Sequence, residues 1–593
     1  MSTEKGSQAL ADLQPFNKSP SRLHKLSRYL LSISILFFLS GVFLQVSKLY
    51  PSQPTLPWTR HLSPKPADLC PQVPPITSKL HKQLLNVLEK EYADGTFKKQ
   101  AYETLGGAVR IPTVTYDDLK PPGQDSRWDI YDDFHAYLEQ KFPLFHSTLK
   151  KTNVNKYALV YHWQGSDPAL KPILLTAHQD VVPVDPNTVD EWLHPPFSGY
   201  YDGKWIWGRG SCDDKSGLIG SFLSIETLLS KGFQPARTIV LAYGIDEERG
   251  GISGASAIRD YLLTTYGEDS FSILIDEGGG LEIRDDIIIA TPSVAEKGHF
   301  DLRLEVSTPG GHSSVPPDHT SIGILAAAIV ELEANPFIPH LYRDATYYTN
   351  LQCQAAYDSD LDQGLRKLIE KSLTNDRALS HLEDEVFKNP LYKAMGGTTQ
   401  AADIIGGGVK VNALPEEAFA IVNHRIATHS SVADVKMHIS SLLIPLTSKY
   451  NLSLNAFGEE LHPTIKQSTN GRIKLSDAWG TALEPAPITP TVGSPAYQFL
   501  SGTILSTAKS SARSNHTDKL IIVAPGIPTG NTDTRYYWSL TRNIFRYRHR
   551  NKFDAYNGAH TVNEALLAEG FIEVLRFFTR VILNADETDL LDL

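Results

Sequence analysis

Cysteine is almost missing from this chain: Cys70, Cys212 and Cys353 are the three present in 593 residues. A disulfide-built scaffold is therefore excluded, since at most one bridge can form. Cys70 with Cys353 is the one pair to consider; Cys212 lies inside a motif described below and reads as a small buried filler. A surplus of basic charge is missing too. Lys and Arg number 56 against 67 Asp and Glu, a net charge of −11, and a nucleic-acid partner would need the reverse balance. Internal repeats are absent. Charged residues at 21% and hydrophobic ones at 41% are ordinary for a globular protein and argue against general disorder. The length exceeds what one core holds, so two folded domains with extra segments are expected.

From Tyr29 to Val46 no residue carries a charge. A helix of that length rises roughly 27 Å, enough for the hydrocarbon core of a bilayer. Lys18, Arg22, Lys25 and Arg28 precede it, which keeps the N-terminus cytosolic. The rival reading, a cleaved signal peptide, wants a small-residue cleavage site, and no Ala falls between Ala11 and Ala67. We expect a type II anchor at 29–47 after a cytosolic tail (1–28), then a proline-dense stalk (48–80). Everything beyond would be lumenal, where Asn451-Leu-Ser and Asn515-His-Thr are glycosylation sequons.

Past residue 80, near-continuous apolar runs at 158–163, 173–180, 238–248 and 271–278 alternate with helical patterns at 215–232 and 255–267. Such strands belong to a sheet covered on both faces, an α/β domain. Near Ser293 the pattern changes. Residues 299–307 and 418–427 alternate apolar and polar, as half-exposed antiparallel strands do. This predicts a smaller α+β domain at 293–480, inserted between the two parts of the α/β domain at 81–292 and 481–593. A final helix is expected after His560, opened by Thr561-Val-Asn-Glu564 as a capping box.

Acid- and imidazole-bearing clusters fall where the α/β strands end, the place where such sheets bind ligands. They are His178-Gln-Asp180, Asp213-Asp214, Asp246-Glu247-Glu248 and Asp276-Glu277, followed late in the chain by His560. The strand at 173–180 ends in His178-Gln-Asp180, and residues two apart in a strand point to one face, so His178 and Asp180 face the same way. Each cluster taken alone has a bland explanation: a polar turn, a helix start that favours acids, a solvated loop, a structural histidine. Three acids closing a buried strand, however, are costly without cations. Together the clusters match a pair of divalent metal ions. Zinc suits mixed nitrogen and oxygen donors best.

The motifs Thr-Ala-His178-Gln-Asp180-Val-Val-Pro-Val, Gly-Arg-Gly-Ser-Cys-Asp213-Asp-Lys-Ser-Gly, Asp-Glu247-Glu248-Arg-Gly-Gly, Ile-Asp276-Glu-Gly-Gly, Gly-Gly-His312-Ser-Ser, Gly-Asn-Thr-Asp-Thr-Arg535 and Gly-Ala-His560-Thr-Val-Asn-Glu occur in that order. This order resembles the two-zinc aminoacylase/glutamate carboxypeptidase family and, within it, the vacuolar carboxypeptidases of fungi. The resemblance runs from about residue 90 to about 580. It implies a zinc-peptidase catalytic domain with a mixed sheet and an inserted lid. It implies that Asp213 bridges two zinc ions, with His178 and Asp276 completing one site and Glu248 and His560 the other. Glu247 would be the general base, Asp180 would orient His178, and His312 of the lid would face the developing oxyanion. Asn412 and Arg425 would contact the substrate carbonyl and carboxylate; Arg535 is the rival for the carboxylate. Many relatives have Asp where this chain has Asn423. The family also often has a cis bond after the bridging Asp, expected here at Asp213–Asp214. The implied substrates are short peptides or N-acyl amino acids with a free carboxylate. The lid histidine often serves a partner subunit, so a homodimer is one option and closure within one chain the other. A catalytically dead receptor is disfavoured, because all five ligands and Glu247 are present.

Overall fold

The computed structural model describes residues 64–461, 470–513, 516 and 518–592. The expected anchor at 29–47 and the sequon residue Asn515 lie outside them. Among the described residues no helix is long and apolar enough to cross a membrane.

The larger sheet has eight strands, in the order Lys150–Val154, Ala158–Trp163, Ile239–Gly244, Ile173–His178, Ile273–Ile283, Ile287–Ala290 and Leu520–Val523, with Ile544–Asn551 also paired to Ile273–Ile283. Ile173–His178 runs parallel to both of its neighbours, and Ile544–Asn551 runs parallel to Ile273–Ile283. Leu520–Val523 runs parallel to Ile287–Ala290, whereas Lys150–Val154 with Ala158–Trp163, Ala158–Trp163 with Ile239–Gly244, and Ile273–Ile283 with Ile287–Ala290 are antiparallel, so the sheet is mixed. Successive side chains enter different cores. Leu175, Leu241 and Ile275 pack with Phe222 and Ile225 of helix Lys215–Ser230 and with Phe571 and Leu575 of helix Ala568–Ala585. Leu174, Val240 and Leu274 pack with Ile258 and Leu262 of helix Ala255–Tyr266. Burial on both faces is why these strands read as unbroken apolar runs. Truncating Leu241, fully buried, to Ala would cost about 2–5 kcal/mol.

The second sheet has six strands, with Gly298–Ser307 and Glu417–Ile426 antiparallel at its centre. On Gly298–Ser307 the even positions Phe300, Leu302, Leu304 and Val306 are buried under helices Ser321–Ala334 and Val432–Tyr450. The odd positions, His299 and Asp301 among them, project from the opposite face. Four helices between Thr346 and Gly396 carry a further core around Tyr348, Leu351, Ile369 and Leu382.

Cys70 and Cys353 are bonded, at a Cα–Cα distance of 4.8 Å, and Cys212 is free and buried. Beside the bridge, the Gln72 side-chain amide donates to Val523 O and accepts from Val523 N. It thereby covers an edge strand of the larger sheet. Two expectations need correction. Thr561–Glu564 does not cap the last helix, which begins at Ala568 after the short strand Ala565–Leu567; the Glu564 carboxylate is taken by a loop instead. The strand Ile173–His178 ends before Asp180, so strand alternation is not what aligns Asp180 with His178.

Candidate active site

The carboxyl ends of Ile173–His178 and Ile239–Gly244, two loops, and Asp276-Glu277 meet at the larger sheet. That dipeptide lies within the strand Ile273–Ile283 and does not close it, because the strand runs on to Ile283. Asp180, fully buried, organises the first part. Its Oδ1 lies 3.2 Å from His178 Nδ1 and accepts the Glu247 amide at 3.2 Å, and its Oδ2 accepts the Glu248 amide at 3.1 Å. One carboxylate thus orients an imidazole and ties down the turn that carries both glutamates. With Nδ1 engaged, His178 presents Nε2, 3.1 Å from Asp213 Oδ1 and 3.4 Å from Glu277 Oε1. Asp213 Oδ2 lies 3.5 Å from His560 Nε2, which is 3.0 Å from Glu248 Oε2. The two oxygens of Asp213 therefore face two separate sets, each with one imidazole and one further carboxylate.

A turn of unusual backbone holds Asp213. Gly210 has φ +88°, and a Cβ there would lie 2.5 Å from Val181 Cγ1, so only glycine fits. The Asp213–Asp214 peptide is cis. Glu564, fully buried, accepts the amides of Gly210 at 3.0 Å and Cys212 at 2.9 Å and pairs with Arg209 at 2.7 Å. Asp214 turns away, caps helix Lys215–Ser230 through the Gly217 amide and pairs with Arg548. Its carboxylate also falls within reach of His178 and Glu277, but the Arg548 pairing leaves Asp213 as the bridging candidate.

Charge in this site is unbalanced. Burial, with repulsion from Glu277 next, holds the Glu247 carboxyl well above its usual range. Burial and then Asp213 do the same to Glu277. On Asp213 burial pushes upward as well, yet His178 and other neighbours bring it below the ordinary value. The hydrogen bond that His560 gives to the Glu248 carboxylate raises the imidazole pKa. Burial lowers His178, but Glu277, Asp180 and Asp213 outweigh it and leave the imidazole raised. Carboxylates this crowded and this dry call for cations. His178, Asp213 and Glu248 each offer a donor atom within 4.8 Å of the others, a mixed imidazole and carboxylate set that fits a divalent transition metal.

Asp276 stands apart from this set. Its Oδ1 accepts from Thr176 Oγ1 at 2.7 Å and its buried Oδ2 has no partner. Adjacent strand residues face opposite ways, and the one turned into the site is Glu277. The dipeptide contains both acids, and only the register tells which one enters.

Asp213, Glu247, Glu248, Glu277 and His560 line one wall of a cavity of about 530 Å³. The same cavity is lined by Arg425, Arg535, His299, Asp301 and Asn423. Arg425 donates to Asn531 Oδ1 at 3.0 Å, and Asn423 donates to Asp301 Oδ1 at 2.7 Å. His312 and Asn412 are not part of this lining. They meet at a small two-stranded antiparallel sheet where His312 pairs with Ala413, and the His312 ring contacts Ser314 Oγ.

Fold and site together define a metal-dependent hydrolase. Residues 174–584 match the model of peptidase family M20/M25/M40, and the chain belongs to that family. It is 38% identical over 583 residues to carboxypeptidase S of Saccharomyces cerevisiae, covering 97% of this chain and 99% of that one. It is 32% identical to an N-fatty-acyl-amino acid synthase/hydrolase of Mus musculus, covering 82% and 87%. Among solved structures, an M20 family metallo-carboxypeptidase from Sulfolobus solfataricus shares the fold, with TM-score 0.55 at 18% identity, covering 82% of this chain and 99% of that one.

Proposed function

We propose that this protein is a two-zinc carboxypeptidase that removes the C-terminal residue from short peptides. The observation that carries the reading is Asp213, whose two oxygens face two sets of donors, His178 with Glu277 and His560 with Glu248. In this assignment Glu277 takes the place that the family resemblance gives to Asp276. When bound, the metal pair supplies Lewis acidity, acidifying water and polarising the amide carbonyl. Glu247, with its raised pKa, takes a proton from the attacking water and returns it to the leaving amine. Asp180 keeps the His178 ring and the Glu247 turn in place during that transfer. Arg425 and Arg535 hold the substrate carboxylate, for which a guanidinium fork is suited.

In one chain His312 and Asn412 lie outside the metal cavity's lining, so we assign them to the oxyanion and carbonyl of a second copy's site. The exposed edge strand Thr399–Gly407, with Ile404 and Ile405 outward, suits a homodimer. Activity regained on mixing the separately inactive E247Q and H312A proteins supports that assembly; no regain argues for closure within one chain. The disulfide fits a lumenal, oxidising compartment. A type II anchor at 29–47 would place the enzyme there, in the vacuole by its resemblance to the fungal enzymes.

A second reading, hydrolysis or synthesis of N-acyl amino acids, is favoured by the 32% likeness to the mouse enzyme. The test uses the fragment from about residue 50 onward, an N-blocked Gly-Leu dipeptide and an N-fatty-acyl leucine, each with and without chelator and beside E247Q. Chelator-sensitive cleavage of the peptide alone supports the carboxypeptidase. The reverse preference supports the acyl-amino-acid enzyme, and no turnover of either by zinc-loaded protein sinks both.

A further inference from the structure

Beyond the two arginines, the cavity lining holds a third nitrogen-bearing side chain, His299. His299 and Arg425 are direct partners across the strands Gly298–Ser307 and Glu417–Ile426, and both line the cavity. His299 Nδ1 is buried without a hydrogen-bond partner. Arg425 is met only by the neutral oxygen of Asn531, and Arg535 lies against the Tyr536 ring, so neither guanidinium has a carboxylate partner among the described residues. The carboxylate two positions along from His299, Asp301, is already held by Asn423. Three nitrogen-bearing side chains thus line one cavity, two of them guanidiniums suited to a substrate carboxylate.

We propose that His299 is a specificity-determining residue, the third donor to the substrate's free carboxylate beside Arg425 and Arg535. The inference rests on the carboxypeptidase reading and adds to it a reason why a free acid is required. Burial first, then Arg535 and Arg425, press the imidazole pKa down. His299 accordingly stays neutral and gives one N–H without crowding a third cation against two guanidiniums.

The test compares wild type with His299→Leu, which removes the donor, and His299→Asn, which keeps a side-chain N–H at this position. Zinc content and thermal unfolding serve as folding controls. KM and kcat are measured on N-blocked Gly-Leu, and inhibition is measured with leucine and leucinol, which differ at the carboxylate. We expect H299L to raise KM about 10-fold or more with kcat little changed, as loss of a hydrogen bond to a charged group implies. It should also lose the preference for leucine over leucinol, and H299N should restore both in part. An unchanged KM and preference in folded H299L overturns the inference, as does equal weakening toward leucine and leucinol without rescue by H299N. If wild type is itself inert on the peptide, the carboxypeptidase reading fails and the inference falls with it, an outcome visible before any variant is assayed.

Discussion

Asp180→Asn is the substitution that most directly probes how the site is held. The carboxylate accepts from His178 Nδ1 and from the Glu247 and Glu248 amides, at 3.1–3.2 Å. Asparagine keeps one oxygen, which can still serve the donors at Oδ1. Its NH2 group then faces the Glu248 amide, donor against donor, in a spot with no solvent exposure. A hydrogen bond to a charged group contributes about 1.5–3 kcal/mol and a neutral one about 1. One lost bond and two weakened ones therefore sum to about 2.5–7 kcal/mol on those values. Part of this should appear as zinc affinity about 10–100-fold weaker, since the group orienting a ligand histidine is impaired. The rest should appear at saturating zinc as kcat/KM lower by about 100–1,000-fold, because Glu247 is no longer fixed. Zinc titration with turnover measured at each point separates the two. A D180N protein with wild-type zinc affinity and kcat/KM would refute the claim that this carboxylate organises the site.

Three further expectations can be checked together. Glu277→Gln should cost bound zinc, measured by elemental analysis, whereas Asp276→Asn should leave the stoichiometry unchanged; the opposite pattern would return the ligand role to Asp276. Chelated protein should lose stability as pH rises. The Glu247 and Glu277 carboxyls are raised above 4.5, so their contribution is complete below that value and disappears as pH climbs through the folded pKa. The gap in unfolding temperature between zinc-loaded and chelated protein should therefore widen from pH 5 to pH 8, and a constant gap would contradict the assignment of the acidic cluster. Reducing Cys70–Cys353, which are 283 residues apart in sequence, should lower the unfolding free energy by about 2–5 kcal/mol. Neither cysteine lines the metal cavity, so turnover in mild buffer should persist; a denaturant midpoint unmoved by reductant would count against the bridge.

The strands and helices that flank the cluster were legible because their signals are local. Unbroken apolar runs mark strands buried on both faces, and the alternation over 299–307 marks one buried on a single face. Acids at the ends of such strands have few bland explanations, so the neighbourhood of His178, Asp213, Glu247 and Glu248 could be inferred from order and residue type. The four helices between Thr346 and Gly396 carry no motif and went unread. Glu564 was misplaced because a Thr-x-x-Glu spacing describes a capping box equally well whether or not a helix follows.

What the sequence determined by itself is the inventory: which acids and imidazoles are present, near which strand ends, and that their charge needs metal. The tertiary structure alone decided which of two adjacent acids, Asp276 or Glu277, turns inward, because register sets the face a residue occupies. It also decided that Arg425, Arg535 and His299 line the cavity of the acidic cluster while His312 and Asn412 lie elsewhere. Those placements depend on contacts between segments more than a hundred residues apart, and no local pattern encodes them.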